Sequence, residues 1–194
     1  MTGAGSRWRT LSSRSIYRNP WFSVREDEVL RPDGTPGIYG VVEMPSYAGV
    51  VAIRSDGKIA MIRQWRYLTG RSSLEVPAGS TSSRDSDILS TARRELLEEA
   101  GVEAQSWTPL GRVDYSAVSN PGFLFLATGL TEAARPNNVD DWTAPIWLPY
   151  VEVVGLVMDG KITESTSVAA VLMAEAQRSA SRWSLEALLD ADLN

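Results

Sequence analysis

The sequence contains no cysteine and no histidine among its 194 residues. Without cysteine there are no disulfides, no zinc–thiolate sites and no thiol nucleophile. Without histidine there is no Ser-His-Asp triad, no HExxH zinc site and no imidazole base, so acid–base chemistry falls to Asp, Glu, Lys, Tyr or water. No stretch approaches the ~20 consecutive apolar residues of a membrane span. The opening residues, MTGAGSRWRTLSSRS, lack the apolar centre of a secretory signal. These absences point to the cytoplasm, with no membrane partner. Basic residues are also outnumbered, 19 against 24 acidic, for a formal charge of −5. That speaks against a nucleic-acid partner, which requires a basic face to neutralise phosphates. A small anionic ligand stays open, because a bound cation inverts the local charge.

The chain has 43% hydrophobic and 22% charged residues, an ordinary globular composition that suits one domain with a small N-terminal appendage. Residues 1–13 read as a loose polar tail, residues 14–46 as an N-terminal strand region, and residues 47–194 as the main domain. Two strands, at 23–30 and 37–44, flank the turn residues Pro32-Asp33-Gly34 and predict a hairpin. A second hairpin is expected from 49–54 and 58–65 around Asp56-Gly57. A helical pattern over 87–100 stops at Gly101, a C-cap residue type. Strands are expected near 122–127 and 142–148, separated by the polar loop ARPNNVDD. Helices follow at 151–158 and 165–178, with 184–189 extending the second or forming a short third. This mixture predicts an α+β fold or an α/β/α sandwich around a mixed sheet.

Chemistry concentrates in RRELLEEAGV, residues 93–102. On a helix, Glu95, Glu98 and Glu99 stand at i, i+3 and i+4 and share a face. Ile88, Leu89, Ala92 and Leu96 form an adjacent apolar stripe, and Arg94 lies four residues before Glu98, within reach to orient it. Such crowding costs about 0.2–0.5 kcal/mol per like-charged pair, a cost that a divalent cation removes. Hard ions such as Mg²⁺ take oxygen ligands and share them with substrate phosphates. A solvated acidic helix face is the alternative reading of the same residues.

Upstream, residues 75–79 read Glu-Val-Pro-Ala-Gly. Together with Arg94, Glu95, Leu96, Glu98, Glu99, Gly101 and Val102, this stretch resembles the signature of the Nudix hydrolase superfamily. Gly79 matches its start, with one extra residue before the helix. The first glutamate of the signature is missing: Ser86 stands there, preceded by Asp85. IRQWRYLTGRSSLEVPAG, LFLATGL, IWLP and DGKITESTSVAAVLMA extend the resemblance over residues 14–175, toward the ADP-ribose and nucleotide-sugar pyrophosphatase subgroup. The resemblance implies an α/β/α Nudix fold and hydrolysis of a nucleoside diphosphate derivative by metal-activated water. It also implies a homodimer in which the N-terminal strands reach the partner.

Carried over residue by residue, Glu95 and Glu99 become ligands of Mg²⁺ or Mn²⁺, Glu98 a ligand or the base for the attacking water, and the Ala78 carbonyl a further ligand. Asp140 and Asp141 lie where the subgroup often places a catalytic glutamate, or form a solvated acidic turn. Arg66 is either a clamp for the diphosphate or a strand-end arginine in a salt bridge. Glu75 binds a ribose hydroxyl or a metal, or is a structural carboxylate. Tyr17 and Trp21, with Phe22, either stack on a base or pack a core or dimer contact. Ser119-Asn120 is followed by Pro121-Gly122, where the subgroup often carries an acidic residue.

Overall fold

The structure, a computed structural model, describes residues 7–116, 118–135 and 144–191, the last eleven by backbone alone. In chain order the strands and helices are β1 (Arg9–Arg18), β2 (Ser23–Leu30), β3 (Pro36–Glu43), β4 (Tyr47–Ala52), β5 (Lys58–Arg66), β6 (Arg71–Glu75), β7 (Ala78–Ser80) and α1 (Ile88–Glu95). A π-helical turn, Leu96–Ala100, continues α1. After it come β8 (Val102–Val113), β9 (Val118–Ser119), β10 (Gly122–Glu132), β11 (Ile146–Pro149), α2 (Tyr150–Met158) and α3 (Ser165–Ala191). The chain divides into two compact units, residues 1–45 with 114–121, and residues 46–113 with 122–194.

In the first unit, β1-β2-β3-β9 form one sheet, antiparallel except for the parallel β3–β9 pair. The β2–β3 hairpin forms where the turn residues predict it. Gly34 takes φ 83°, a left-handed conformation that glycine adopts without a Cβ penalty. The Asp33 carboxylate accepts from the Thr35 amide at 2.9 Å, a side-chain mimic of a turn. The polar tail proves shorter than expected, because β1 begins at Arg9. Its polar residues find cross-strand partners: Arg14 sits opposite Glu26 and binds it at 2.6 Å, and Ser12 donates to Glu28 at 3.0 Å. Opposite charges facing each other favour such a pairing.

In the second unit, β4 is buried along its whole length. Alternation explains why, since successive side chains of a strand point to opposite faces. Val51 joins Ile59, Met61 and Leu124 in a cluster with Tyr150 and Val153 of α2 and Ala170, Val171 and Ala174 of α3. Ala48, Val50 and Ala52 join Ala60, Phe125 and Ala127 in a second cluster with Ala92, Leu96 and Ala100. Helices therefore cover both faces, and β7-β4-β10-β8 is mixed, with β4 and β10 parallel. This is the expected α/β/α sandwich. Ile88 and Leu89 pack on the same cluster as Ala92 and Leu96, as their stripe predicts.

The second expected hairpin does not form. β4 pairs with β10 and β7, whereas β5 pairs with β11 and β6; the two segments meet at the turn, through an isolated bridge from Ile53 to Ile59 and the Arg54 amide donating to the Lys58 carbonyl at 2.8 Å, without a ladder between the strands. The continuous apolar run of β4 suits a strand with both faces buried, and a parallel neighbour supplies that burial. The second C-terminal helix is one continuous element to Ala191.

Candidate active site

The acidic helix is built for support at each end. Asp87 caps α1, accepting from the Ser90 amide at 2.7 Å while the Ser90 hydroxyl accepts from the Asp87 amide at 3.1 Å. At the other end Gly101 turns the chain with φ 68°. The Arg135 side chain donates from Nε to the Glu98 carbonyl at 2.8 Å, and from Nη2 as well, satisfying a carbonyl of the last turn. The helix is α only to Glu95; Glu98 and Glu99 lie in the wider π turn, a device that recurs at functional sites.

Arg94 is the hub of the helix. It donates from Nη1 to Glu95 at 2.7 Å and to Glu98 at 3.0 Å, and from Nη2 to the Ser80 carbonyl at 2.8 Å. It also grips Asp85 through Nε and Nη2, each at 3.0 Å. Asp85 further accepts from the Ser82 amide at 2.8 Å and the Thr91 hydroxyl at 3.0 Å. The Arg94 hydrogen bonds hold this carboxyl well below the usual carboxylate range. Asp85, one position before the missing signature glutamate, thus ties the longer loop to the helix.

Glu99 faces inward. Gln64 on β5 donates to its Oε1 at 2.9 Å, and the Ala78 amide to its Oε2 at 2.9 Å. Burial pushes the Glu99 carboxyl up to about 7; the Ala78 amide opposes this, while Glu95 and Glu75 add to it. Glu95 is also raised, chiefly by burial. Gly79 makes this packing possible, because a Cβ at that position would overlap the Glu95 carboxylate.

Arg66 and Glu75 meet across the β5–β6 pair. Arg66 donates from Nε to Glu75 Oε1 at 2.7 Å and from Nη2 to Oε2, and Glu75 is only 3% exposed. Both are therefore engaged in one ion pair. Tyr17 and Trp21 belong to the N-terminal unit, where Tyr17 lies 5.6 Å from the Phe22 ring and Trp21 is exposed. Asp140 and Asp141 fall outside the described residues.

The site thus gathers Glu75, Ala78, Glu95, Glu98 and Glu99 with Arg66 and Arg94. Sequence reasoning missed three members. Gln64 stands two residues before Arg66 on one strand, so it shares Arg66's face, a signal that was available. Arg135 carries no local signature, and Glu164, which contributes to the field at Arg66, lies in DGKITESTSVAAVLMA without having been singled out.

Residues 44–170 match the NUDIX domain, and residues 8–42 match the nucleoside diphosphate sugar hydrolase N-terminal domain. The chain belongs to the Nudix family. It is 34% identical over 178 residues to the ADP-ribose pyrophosphatase of Mycobacterium tuberculosis, covering 87% of this chain and 84% of that protein. It is 30% identical to the methanol dehydrogenase activator of Bacillus methanolicus, over 84% of this chain and 90% of that protein. A crystal structure of an ADP compounds hydrolase superposes with a TM-score of 0.78 at 18% identity, covering 90% of this chain and 96% of the other, and shares its fold.

This Nudix protein is accordingly a hydrolase of diphosphates, and Nudix hydrolases use a divalent metal. Its donor set fits such an ion. The donors are hard oxygens, and the carboxyls of Glu95 and Glu99 are raised by burial and by neighbouring carboxylates, Glu98 and Asp85 at the first and Glu95 and Glu75 at the second, a field that a cation relieves. Among the described residues no three acidic side chains converge into a ready cage. Glu95 and Glu98 are turned to Arg94, and Glu99 to Gln64 and Ala78. To hold an ion, Glu95, Glu98 and Glu99 would have to give up these partners.

Proposed function

We propose that this Nudix hydrolase splits ADP-ribose or a nucleotide sugar between its two phosphates, giving a nucleoside monophosphate and a sugar phosphate. The observation that carries this reading is the Ala78-Gly79 turn, with the buried Glu95 carboxylate packed on Gly79 and Glu99 held by the Ala78 amide, and Arg66 nearby in the field of Glu99. Relatives in M. tuberculosis and Bacillus subtilis are ADP-ribose pyrophosphatases, which supports the substrate class. Glu95, Glu98, Glu99 and the Ala78 carbonyl would hold Mg²⁺ or Mn²⁺, which when bound supplies charge for the phosphates and acidifies the attacking water.

The chain's own residues do the rest. Arg94 fixes Glu98 where it can take the proton of the water. Glu75 orients the Arg66 guanidinium, leaving Nη1 for a phosphate oxygen. Asp140 or Asp141 positions the water, and Tyr17 and Trp21 supply an aromatic face for a base or for a partner subunit. The working form is a cytoplasmic homodimer. The N-terminal unit supports the dimer, for it exposes Trp8, Leu11, Ile16, Trp21 and Ile38, and exposed apolar patches mark interfaces.

A second reading is hydrolysis of a different diphosphate, favoured by Pro121-Gly122 where the subgroup often places an acidic residue. A panel of nucleoside diphosphate derivatives, assayed with Mg²⁺ and Mn²⁺ in ¹⁸O-water, tests both. The label should enter one of the two phosphate products. Label on the sugar carbon would make the reaction glycosidic. Turnover of only non-sugar diphosphates would favour the second reading, and binding without turnover a ligand-binding module.

A further inference from the structure

Between β6 and β7 the chain crosses from one sheet to another through Val76 and Pro77. β6 pairs with β5 as far as Glu75, and β7 pairs with β4 from Ala78. In between, the Val76 amide lies outside either ladder, on a residue only 1% exposed, and Pro77 has no amide to give. A buried donor of this kind needs a partner. The one it finds is remote in sequence: the Val76 amide donates to Ser167 Oγ at 3.0 Å. Ser167 is fully buried in the first turn of α3.

The Ser167 hydroxyl is itself fixed. It donates to Glu164 Oε2 at 2.8 Å, the same oxygen that accepts from the Ser167 amide at 2.8 Å. Glu164 Oε1 accepts from the Thr166 amide at 2.9 Å. Burial alone would raise the Glu164 carboxyl, but these hydrogen bonds outweigh it and leave it lowered and charged. An ionised acceptor keeps the Ser167 proton directed to Glu164 and its lone pair toward Val76. The crossing is then pinned at successive residues, by Val76 to Ser167, by the Val50 amide to the Pro77 carbonyl at 2.9 Å, and by Ala78 to Glu99.

We propose that Ser167, oriented by Glu164, is a positioning residue that sets the Glu75–Ala78 crossing, and through it the placement of Glu99 and the Arg66–Glu75 pair. It touches neither substrate nor reacting atoms. The inference rests on the reading that Glu99 and Ala78 belong to the metal site.

The test uses full-length Ser167→Ala, Ser167→Thr and Glu164→Gln, with Glu99→Gln alongside. Mn²⁺ binding to the substrate-free protein is followed by electron paramagnetic resonance, and amide exchange across residues 73–80 by mass spectrometry. Ser167→Ala should weaken Mn²⁺ binding by about 10-fold and speed exchange at 76–78, with kcat falling about as far and KM within twofold. Ser167→Thr, which keeps the hydroxyl, should restore most of each. Glu164→Gln, which keeps the acceptors but loses the charge, should give a smaller loss in the same direction. A folded Ser167→Ala with unchanged exchange and unchanged Mn²⁺ affinity overturns the proposal. If Ser167→Ala does not fold, unchanged values in Glu164→Gln do so. Unchanged Mn²⁺ binding in Glu99→Gln would instead sink the underlying reading of the metal site, separately from the exchange result.

Discussion

Acidic residues meet opposite fates in the two units. On the N-terminal sheet, Glu26, Glu28 and Glu43 each face a cross-strand donor: Arg14, Ser12 and Arg25 with Ser23. Asp27 is lowered, by the Ser13 hydroxyl first and Arg25 second. In the Nudix unit, Glu95 is buried and Glu99 half-buried, and both carboxyls are raised. The first arrangement satisfies every local rule for a charged side chain; the second violates one. A fold tolerates a few such violations, and they concentrate where function needs them. Charge content alone does not separate the two regions.

The comparison breaks hardest at Glu99. Glu99→Gln keeps the size and the Ala78 contact but removes the charge. Turnover should fall by at least ~10²-fold, equivalent to about 2.7 kcal/mol of barrier, with the fold intact by circular dichroism. Near-normal kcat at saturating Mg²⁺ would place the essential charge elsewhere.

Next comes Asp85, an acid beside the helix whose carboxyl, like that of Asp27 on the N-terminal sheet, is lowered by its donors. Its side chain is 5% exposed and that of Arg94 17%. Asp85→Asn should cost about 2 kcal/mol, less than the ~3–5 kcal/mol of a pair left wholly uncompensated, because Arg94 keeps Glu95 and Glu98. Urea unfolding measures it; a change within error would mean the loop does not depend on this ion pair.

How much of this was legible depended on range. The apolar stripe of α1, the Gly101 stop and the β2–β3 turn are written in adjacent residues, and all appear. Arg94 reaching Glu98 follows from helical spacing. Asp85 was visible only as a neighbour of the missing glutamate, and its ion pair with Arg94, nine residues away, is not written in local spacing. β4 was misassigned to a hairpin because its parallel partner β10 lies some seventy residues away in sequence. β8 went unseen, for Gly111 and Pro109 interrupt its pattern while β10 enforces the strand. Arg135 and Ser167 act on backbone groups far away in sequence, and no periodicity encodes that. The π turn likewise has no residue signature in LLEEA.

A gentler probe is pH in the metal-free protein. Glu99 titrates near 7 when folded, against an ordinary value of 4.5. Below 4.5 it is protonated in both states and carries no penalty. As pH rises toward and through 7, the folded state must ionise a buried group, so stability falls. The loss is on the order of 1 kcal/mol once partial solvation is allowed for. With EDTA present, the stability difference between wild type and Glu99→Gln should shrink by that amount from pH 5 to pH 8. Parallel curves would show a carboxylate as well solvated as any on the surface.

The smallest effect belongs to the N-terminal sheet and completes the contrast. Arg14 pairs with Glu26 at 2.6 Å, but the Arg14 side chain is 72% exposed. Water screens such a pair, and ordering a long side chain offsets the Coulomb gain. Arg14→Ala should therefore change stability by less than ~0.5 kcal/mol and leave kcat untouched. A larger loss by thermal melting, growing at low ionic strength, would mean that this pair is shielded from water in the working protein. The natural shield is a second copy of the sheet, so the same melts run across a tenfold range of protein concentration separate an intrinsic pair from one buried at a dimer contact. Concentration-independent melting with a loss under ~0.5 kcal/mol is the outcome expected if the surface pair is as ordinary as its geometry indicates.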